Sequence, residues 1–200
     1  GTLVFHLAIV GVLLGAAVGS LFGFQGTALV VVGNGFANTV TQYDGYQGGR
    51  FFSPTQLPPF TLTVEDFEVA FEDEGEQRGA AREFDALLRY TVAPGEPEQE
   101  YHLRINHPLE IEGARVHLIG HGYAPKFTVR DGNGDVAFSG PVPFLPQDGN
   151  FSSTGVVKVP DARPKQLGLQ GLFLPTGILD KQAGPISIFP DALAPAVFLT

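Results

Sequence analysis

The hydrophobic pattern of the chain begins with one long apolar segment, residues 3–24 (LVFHLAIVGVLLGAAVGSLFGF), which contains no charged side chain. A helix of this length extends about 33 Å at a rise of about 1.5 Å per residue, enough to cross the hydrocarbon core of a bilayer. A cleaved signal peptide is the alternative, but its apolar region is usually only about 7–15 residues long. We therefore predict a transmembrane helix over residues 1–25.

Beyond this segment the pattern is typical of β-structure. A β-branched apolar run (27–32) precedes a connection rich in Gly, Asn, Gln and Tyr that extends to Pro59. From residue 60, apolar and polar residues alternate with the period of two that marks half-buried strands. The segment 83–92 fits a helix or a strand by its pattern alone, and its Thr, Tyr and Val favour a strand. The predicted strands are 60–71, 83–92, 100–106, 115–119, 126–130, 136–138, 156–159, 172–174 and 186–189, separated by loops at 73–79 and 94–98 and by a proline-rich stretch at 141–146.

The predicted fold class is therefore mainly β. We expect a sandwich-like extracytoplasmic β domain over residues 26–200, preceded by one transmembrane α-helix. The segment Asp131–Asp135 (DGNGD) indicates a hairpin turn between two of the strands. It also resembles part of a calcium loop, but the glutamate that completes an EF-hand is missing at the required spacing, so we interpret it as a turn.

Composition and charge exclude several classes of function. The chain of 200 residues has a net charge of −9 and contains no Cys, Met or Trp. Disulfides, thiolate metal sites and thiol catalysis are therefore excluded, and the acidic balance argues against a nucleic-acid partner. The first acidic residue is Asp44 and the first basic residue is Arg50. The lack of basic residues just after the helix favours an exit on the non-cytoplasmic face.

Four glycines recur at a spacing of four in the apolar segment: Gly11, Gly15, Gly19 and Gly23. On a helix they form one slowly turning face, which would allow the backbone of a second helix to approach closely. Glycine is also simply frequent in membrane helices. We predict that these four residues pack against a neighbouring helix.

His6 lies on a different face of the same helix, about 140° to 260° around the axis from these glycines. A proton-binding side chain within a membrane span is a candidate functional residue. A neutral imidazole is a good axial ligand for haem iron, since it provides a lone pair without a charge. The alternative is an interfacial histidine that reaches the near membrane surface, and position alone does not separate the two interpretations.

The other four histidines are His102, His107, His117 and His121. The even spacing of His117 and His121 would place both on one side of a strand, where they could share a metal ion. The neighbouring glycines and proline indicate turns instead, and no matching carboxylate or thiolate accompanies them. We expect structural hydrogen bonding rather than a metal site, assign none of the four a role, and find no catalytic residues.

Five segments together resemble one family of proteins, the ResB family of the System II cytochrome c maturation pathway, in its actinobacterial form. The segments are LVFHLAIVGVLLGAAVGSLFGFQG (3–26), NTVTQYDGYQGGRFF (38–52), LRINHPLEIEG (103–113), VHLIGHGYAPKFTVRDGNGDVAFSGPVPFLPQDGNF (116–151) and GLFLPTGIL (171–179). The similarity covers essentially the whole chain, and the segment 116–151 is too long and unusual for chance.

The resemblance implies a membrane subunit that works with a ResC (CcsA-type) partner to export haem and attach it to apocytochrome c. It implies haem in transit as the cofactor, with His6 as an axial ligand, and no enzymatic activity of this subunit on its own. It also implies a multi-pass protein of the cell membrane, in contact with the lipid bilayer, with its large domain on the outer face. We expect further membrane helices before residue 1 and after residue 200.

A second hypothesis remains open beside this one. The chain would then be a membrane-anchored β-sandwich that acts as a binding or scaffolding module without contact to haem.

Overall fold

The computed structural model describes all of residues 1–200 and consists of 45% strand and 14% helix. The chain forms one α-helix, two short 3-10 helices (Val40–Gln42 and Pro54–Gln56) and sixteen strands. The elements are α1 (Thr2–Phe22), β1 (Phe24–Thr27), β2 (Gly35–Ala37), β3 (Gly45–Gly48), β4 (Thr61–Phe71), β5 (Ala81–Thr91), β6 (Gln99–Arg104), β7 (Leu109–Ile111), β8 (Ala114–Val116), β9 (Lys126–Arg130), β10 (Val136–Pro141), β11 (Leu145–Pro146), β12 (Ser153–Val159), β13 (Leu167–Leu174), β14 (Gly177–Asp180), β15 (Gly184–Ser187) and β16 (Ala196–Leu199). The predicted class, mainly β with one N-terminal apolar helix, is confirmed.

Helix α1 ends earlier than the apolar pattern predicted. Its last residue is Phe22, and Gly23 has an extended backbone (φ −68°, ψ 159°) that begins the path into β1. The helical prediction over 1–25 therefore extends too far, because Phe24 already pairs with Gly48 in the antiparallel ribbon of β1 and β3. Apolarity continues through Phe24, so the hydrophobic pattern alone does not mark the end of the helix.

The chain divides into two compact units, the first of which comprises residues 1–67 and 86–117. This unit contains α1, the β1–β3 ribbon, the β7–β8 hairpin and a four-stranded sheet with the order β2–β4–β5–β6. The buried side chains of this sheet and its neighbouring loops include Phe36, Phe60, Leu62 and Leu88. Strands β2 and β3 lie in the polar connection for which no strand was predicted.

Strands β4 and β5 form a long hairpin whose residues contribute to both units. The predicted strands 60–71 and 83–92 correspond closely to β4 and β5. The charged segment between them is a loop, as predicted. It is closed by two backbone hydrogen bonds, from Glu72 N–H to the Ala80 carbonyl (2.9 Å) and from Gly79 N–H to the Glu72 carbonyl (2.7 Å).

The second unit comprises residues 68–85 and 118–200. It contains the sheet β11–β12–β13–β16 and the hairpins β9–β10 and β14–β15. Buried and exposed positions alternate along β12, where Val157 and Val159 are fully buried and Lys158 is exposed. The proline-rich stretch 141–146 contributes only the last residue of β10, Pro141, and the two-residue edge strand β11, since proline cannot donate a hydrogen bond within a sheet.

Phe144 occupies the centre of the second unit with only 1% of its surface exposed. Its ring lies where side chains would otherwise stand on Gly155 and Gly171, since a Cβ at Gly155 would be 2.6 Å from the ring atom Cδ2. The two glycines are therefore required by the volume of the Phe144 ring. Phe127 stacks on this ring at a centroid distance of 5.9 Å.

Candidate functional site

Helix α1 has no buried residue, although its side chains are almost all apolar. It is long and apolar enough to cross a membrane. Leu3 and Val12, for example, are 74% and 71% exposed. Water is a poor solvent for such a surface, because burying apolar area is the main favourable contribution to folding. The helix therefore presents its entire circumference to lipid or to other apolar partners.

The predicted glycine face is present in part. Gly11, Gly15 and Gly19 lie within α1, and a Cβ on any of them would meet nothing within 4 Å. The prediction that Gly23 continues this face within the helix is wrong, because Gly23 is the extended C-cap and donates its N–H to the Gly19 carbonyl at 2.8 Å. A Cβ at Gly23 would overlap that carbonyl oxygen. Packing of the three helical glycines against another helix stays a prediction.

His6 lies in the first turns of α1 and is exposed. Its Nδ1 lies 2.7 Å from the carbonyl oxygen of Thr2. Because a carbonyl oxygen can only accept, Nδ1 carries the proton, and in the neutral imidazole the lone pair is then on Nε2. The ring of Phe5 contacts the imidazole edge-on, with centroids 5.7 Å apart. The hydrogen bond to Thr2 therefore fixes the imidazole on the outside of the helix, with Nε2 as the ring nitrogen that does not contact the backbone.

A group of aromatic residues surrounds the end of α1, and we call it the juxtamembrane cluster: Phe22, Phe24, Tyr43, Tyr46, Phe51 and Phe52. The ring of Phe24 stacks on Phe52 at 4.6 Å and on Tyr46 at 5.8 Å, and Phe22 contacts Phe51 at 5.3 Å. Burial raises the pKa of the Tyr43 hydroxyl, which donates a hydrogen bond to Asn38 Oδ1. The cluster was not predicted, since it assembles residues from three separate segments.

The domain histidines do not form the arrangement required for a shared metal ion. Strand β8 ends at Val116, so His117 and His121 do not lie on one strand and the premise of their common face is wrong. His107 is exposed, with Nδ1 3.2 Å from the Ile105 carbonyl oxygen. His102 lies on β6. No group of three or more His, Asp or Glu side chains converges in the chain.

His121 is instead surrounded by phenylalanine rings of the second unit. Its imidazole stacks on Phe151 at a centroid distance of 4.4 Å and contacts Phe84 at 5.0 Å and Phe71 at 5.8 Å. Burial among these rings lowers the pKa of the His121 imidazole and favours its neutral form. No pattern in the sequence connects residues so far apart along the chain.

The segment Asp131–Asp135 is a hairpin turn between β9 and β10, as predicted. Asp131 Oδ1 accepts hydrogen bonds from the N–H groups of Asn133 (2.8 Å) and Asp135 (3.2 Å). Its second oxygen accepts a hydrogen bond from Arg163 N–H at 3.3 Å. The carboxylate that resembles a calcium ligand therefore stabilises the turn itself.

An open pocket of about 450 Å³ lies in the first unit. Proline, threonine and apolar side chains line most of it, among them Pro54, Leu57 and Phe60, and Asn38 contributes an amide. None of the side chains that line this pocket is ionisable.

Comparison with known proteins adds one finding to this geometry. The model of a family described as the ResB-like family matches residues 1–200, the full length of the chain. No curated protein and no solved structure is significantly similar to it.

Proposed function

Because the chain belongs to the ResB-like family, a family of cytochrome c biogenesis subunits, we propose that it exports haem across the cell membrane and attaches it to apocytochrome c together with a ResC (CcsA-type) partner. In this proposal haem is cargo in transit. The chain provides a membrane helix that holds the iron and a β region on the outer face that receives the acceptor protein. No residue of the chain is assigned a catalytic role.

The observation that carries the proposal is the hydrogen bond between His6 Nδ1 and the Thr2 carbonyl. Histidines that bind metals almost always donate their other ring N–H to a carbonyl or carboxylate, which fixes the tautomer and the orientation of the ring. His6 has this arrangement without any partner protein. Its Nε2 is the atom we propose as an axial ligand of the haem iron.

The surroundings of His6 suit a bound porphyrin. Helix α1 contains no charged residue, so the apolar faces of the macrocycle would meet Leu, Val and Phe side chains. His6 lies about 140° to 220° around the axis from the three helical glycines. One face of α1 would thus pack against a helix of the membrane assembly while the opposite face holds haem.

The same geometry indicates the depth of His6 in the membrane. His6 and Phe22 are separated by about 24 Å along the axis at about 1.5 Å per residue. If Phe22 lies at the outer boundary of the hydrocarbon core, which is about 30 Å thick, His6 lies near the inner boundary. The absence of basic residues up to Arg50 supports this orientation. His6 is therefore proposed to receive haem near the cytoplasmic side.

The test is the haem content and absorption spectrum of the purified complex with the ResC-type partner. The His6→Ala variant is expected to lose haem at least about tenfold, since even loss of an outer hydrogen-bond partner of a metal ligand typically costs that much. The matched control is His107→Ala, which removes another exposed histidine whose Nδ1 also contacts a backbone carbonyl. The control complex is expected to keep its haem.

A second variant separates ligation from protein stability. His6→Met replaces the imidazole by a thioether, which binds haem iron with a different ligand field. We expect this complex to retain part of its haem with a shifted spectrum. If both His6 variants assemble normally and keep the original haem content and spectrum, His6 does not bind the iron, and the scaffolding hypothesis without haem contact gains support.

A further inference from the structure

The end of α1 is attached to the loop at residues 49–52 through the backbone. Phe51 N–H donates to the Leu21 carbonyl at 2.8 Å, and Gly49 N–H donates to the Gly23 carbonyl at 2.8 Å. A Cβ at Gly49 would overlap the carbonyl group of Leu21, so the two backbones are in direct contact. Carbonyls at a helix C-terminus have no partner within the helix. The loop therefore satisfies these carbonyls where the helix leaves the membrane.

This attachment determines the depth of the loop relative to the bilayer. A helix of 21 residues extends about 31 Å at about 1.5 Å per residue, close to the thickness of the hydrocarbon core. Phe22 then lies at the boundary between hydrocarbon and headgroups. Phe51 contacts Phe22 through its ring and is bonded to Leu21 through its N–H, so it lies at the same depth.

The exposed side chains of this region have the chemistry of a membrane interface. Tyr46 is 53% exposed, and tyrosine is enriched at the level of the headgroups. Phe51 is 54% exposed and offers an apolar ring to the hydrocarbon boundary. Arg50, next to Phe51, is exposed and is the first basic residue of the chain. Its guanidinium can pair with lipid phosphate in two parallel hydrogen bonds.

We propose that the juxtamembrane cluster and Arg50 form an interfacial anchor that lies on the outer-leaflet headgroups of the lipid bilayer. Phe51 enters the boundary region, Arg50 binds phosphate, and Tyr46 contacts the headgroups through its hydroxyl. The anchor fixes the orientation of the β1–β3 ribbon on the membrane surface. This inference rests on the membrane-spanning helix of the proposed function, but not on haem binding.

The chain contains no tryptophan, so a single introduced tryptophan reports its own position by fluorescence. The experiment places the Phe51→Trp chain in phosphatidylcholine vesicles whose acyl chains carry bromine either near the headgroup or near the terminal methyl. Quenching of Phe51→Trp is expected to be stronger with the shallow label than with the deep one, because tryptophan is favoured at the level of the headgroups. Tyr46→Trp is expected to show the same preference.

Two matched variants make the result decisive. Leu14→Trp, in the middle of α1, is expected to be quenched more strongly by the deep label, whereas buried Phe60→Trp is expected to be quenched by neither. If Leu14→Trp behaves as expected but Phe51→Trp and Tyr46→Trp respond only to aqueous iodide, the anchor is refuted and the spanning helix stands. If Leu14→Trp is not quenched by the deep label, the spanning helix and the anchor both fail.

Discussion

Helix α1 and the sheet β11–β12–β13–β16 use the same apolar residue types in opposite ways. In α1 no side chain is buried, and every apolar side chain except the half-buried Leu21 is exposed. In the sheet, alternate residues such as Val157 and Val159 are completely enclosed, and Phe144 fills the space above two glycines. The helix obtains its backbone hydrogen bonds internally, whereas the sheet obtains them between strands.

The difference shows what each region requires from its surroundings. The sheet has its apolar partners within the chain, so its stability is a property of the chain. Apart from the contact of Phe22 with Phe51 at its end, the helix has no such partners, so the rest of its apolar surface must be covered by lipid or by other helices. His6 and His121 follow the same division: the first is exposed on the outside of the helix, and the second is packed among phenylalanine rings.

The largest expected loss of stability is that caused by Phe144→Ala. Removing a fully buried phenylalanine ring costs about 3–5 kcal/mol of the free energy of unfolding, because the apolar contacts are lost and a cavity remains. Leu14→Ala in α1 is the matched control and is expected to cost less than about 0.5 kcal/mol, since Leu14 is 62% exposed. Denaturant unfolding in detergent measures both. A comparable loss for Leu14→Ala would mean that α1 packs within the chain.

A smaller change in the free energy of unfolding is expected when glycine is replaced by alanine at two positions, one in the sheet and one in α1. Gly155→Ala places a Cβ 2.6 Å from the Phe144 ring and is expected to destabilise the fold by about 1–3 kcal/mol through overpacking. Gly15→Ala meets nothing within 4 Å and is expected not to destabilise the fold, and to raise the free energy of unfolding by at most about 1 kcal/mol, because alanine has the higher helix propensity.

The overpacking explanation has its own check. In the double variant Phe144→Ala/Gly155→Ala the ring is absent and the added methyl group has space, so the two losses should not add. Strict additivity would refute the contact between the Phe144 ring and Gly155 as the cause.

The smallest expected effect is the contribution of His121 to the pH dependence of the free energy of unfolding. Burial lowers the pKa of this imidazole in the folded state below its ordinary value near 6.5, so the unfolded chain binds the proton first as the pH falls. The contribution of His121 to stability is therefore complete above that value and is lost as the pH falls through the lowered pKa. His121→Phe is expected to reduce the loss of stability between neutral and mildly acidic pH.

The matched control for this pH effect is His107→Phe, because His107 is exposed and lies outside the phenylalanine-lined site. Unfolding of each variant is measured at neutral and at mildly acidic pH. An identical pH dependence in wild type and His121→Phe would contradict the assignment.

Local patterns in the sequence predicted much of the fold. Strand β4 was predicted because alternation of apolar and polar residues is a property of neighbouring residues. Strand β5 was predicted because Thr, Tyr and Val in its segment favour a strand over a helix. The turn at Asp131 was predicted because its glycines and carboxylates stabilise it locally. Strand β3 (Gly45–Gly48) was missed, since it has little hydrophobic signal of its own and forms by pairing with β1.

The candidate site also has features that the sequence could predict and features that it could not. His6 was identifiable from sequence, because a polar side chain in an uncharged apolar segment stands out. Its hydrogen bond to Thr2 is local and depends only on the helix. The juxtamembrane cluster and the surroundings of His121 were not identifiable, because their aromatic residues come from distant segments and aromatic residues occur throughout the chain.

The sequence by itself determined that an uncharged apolar helix with one histidine precedes a mainly β region, because both features are set by residues close together in the chain. Only the tertiary structure decided that the helix ends at Phe22, that Gly23 lies outside the helix, and that Phe51 is hydrogen-bonded to the end of the helix. These features depend on contacts between residues far apart in the chain, and neither hydrophobic period nor composition records such contacts.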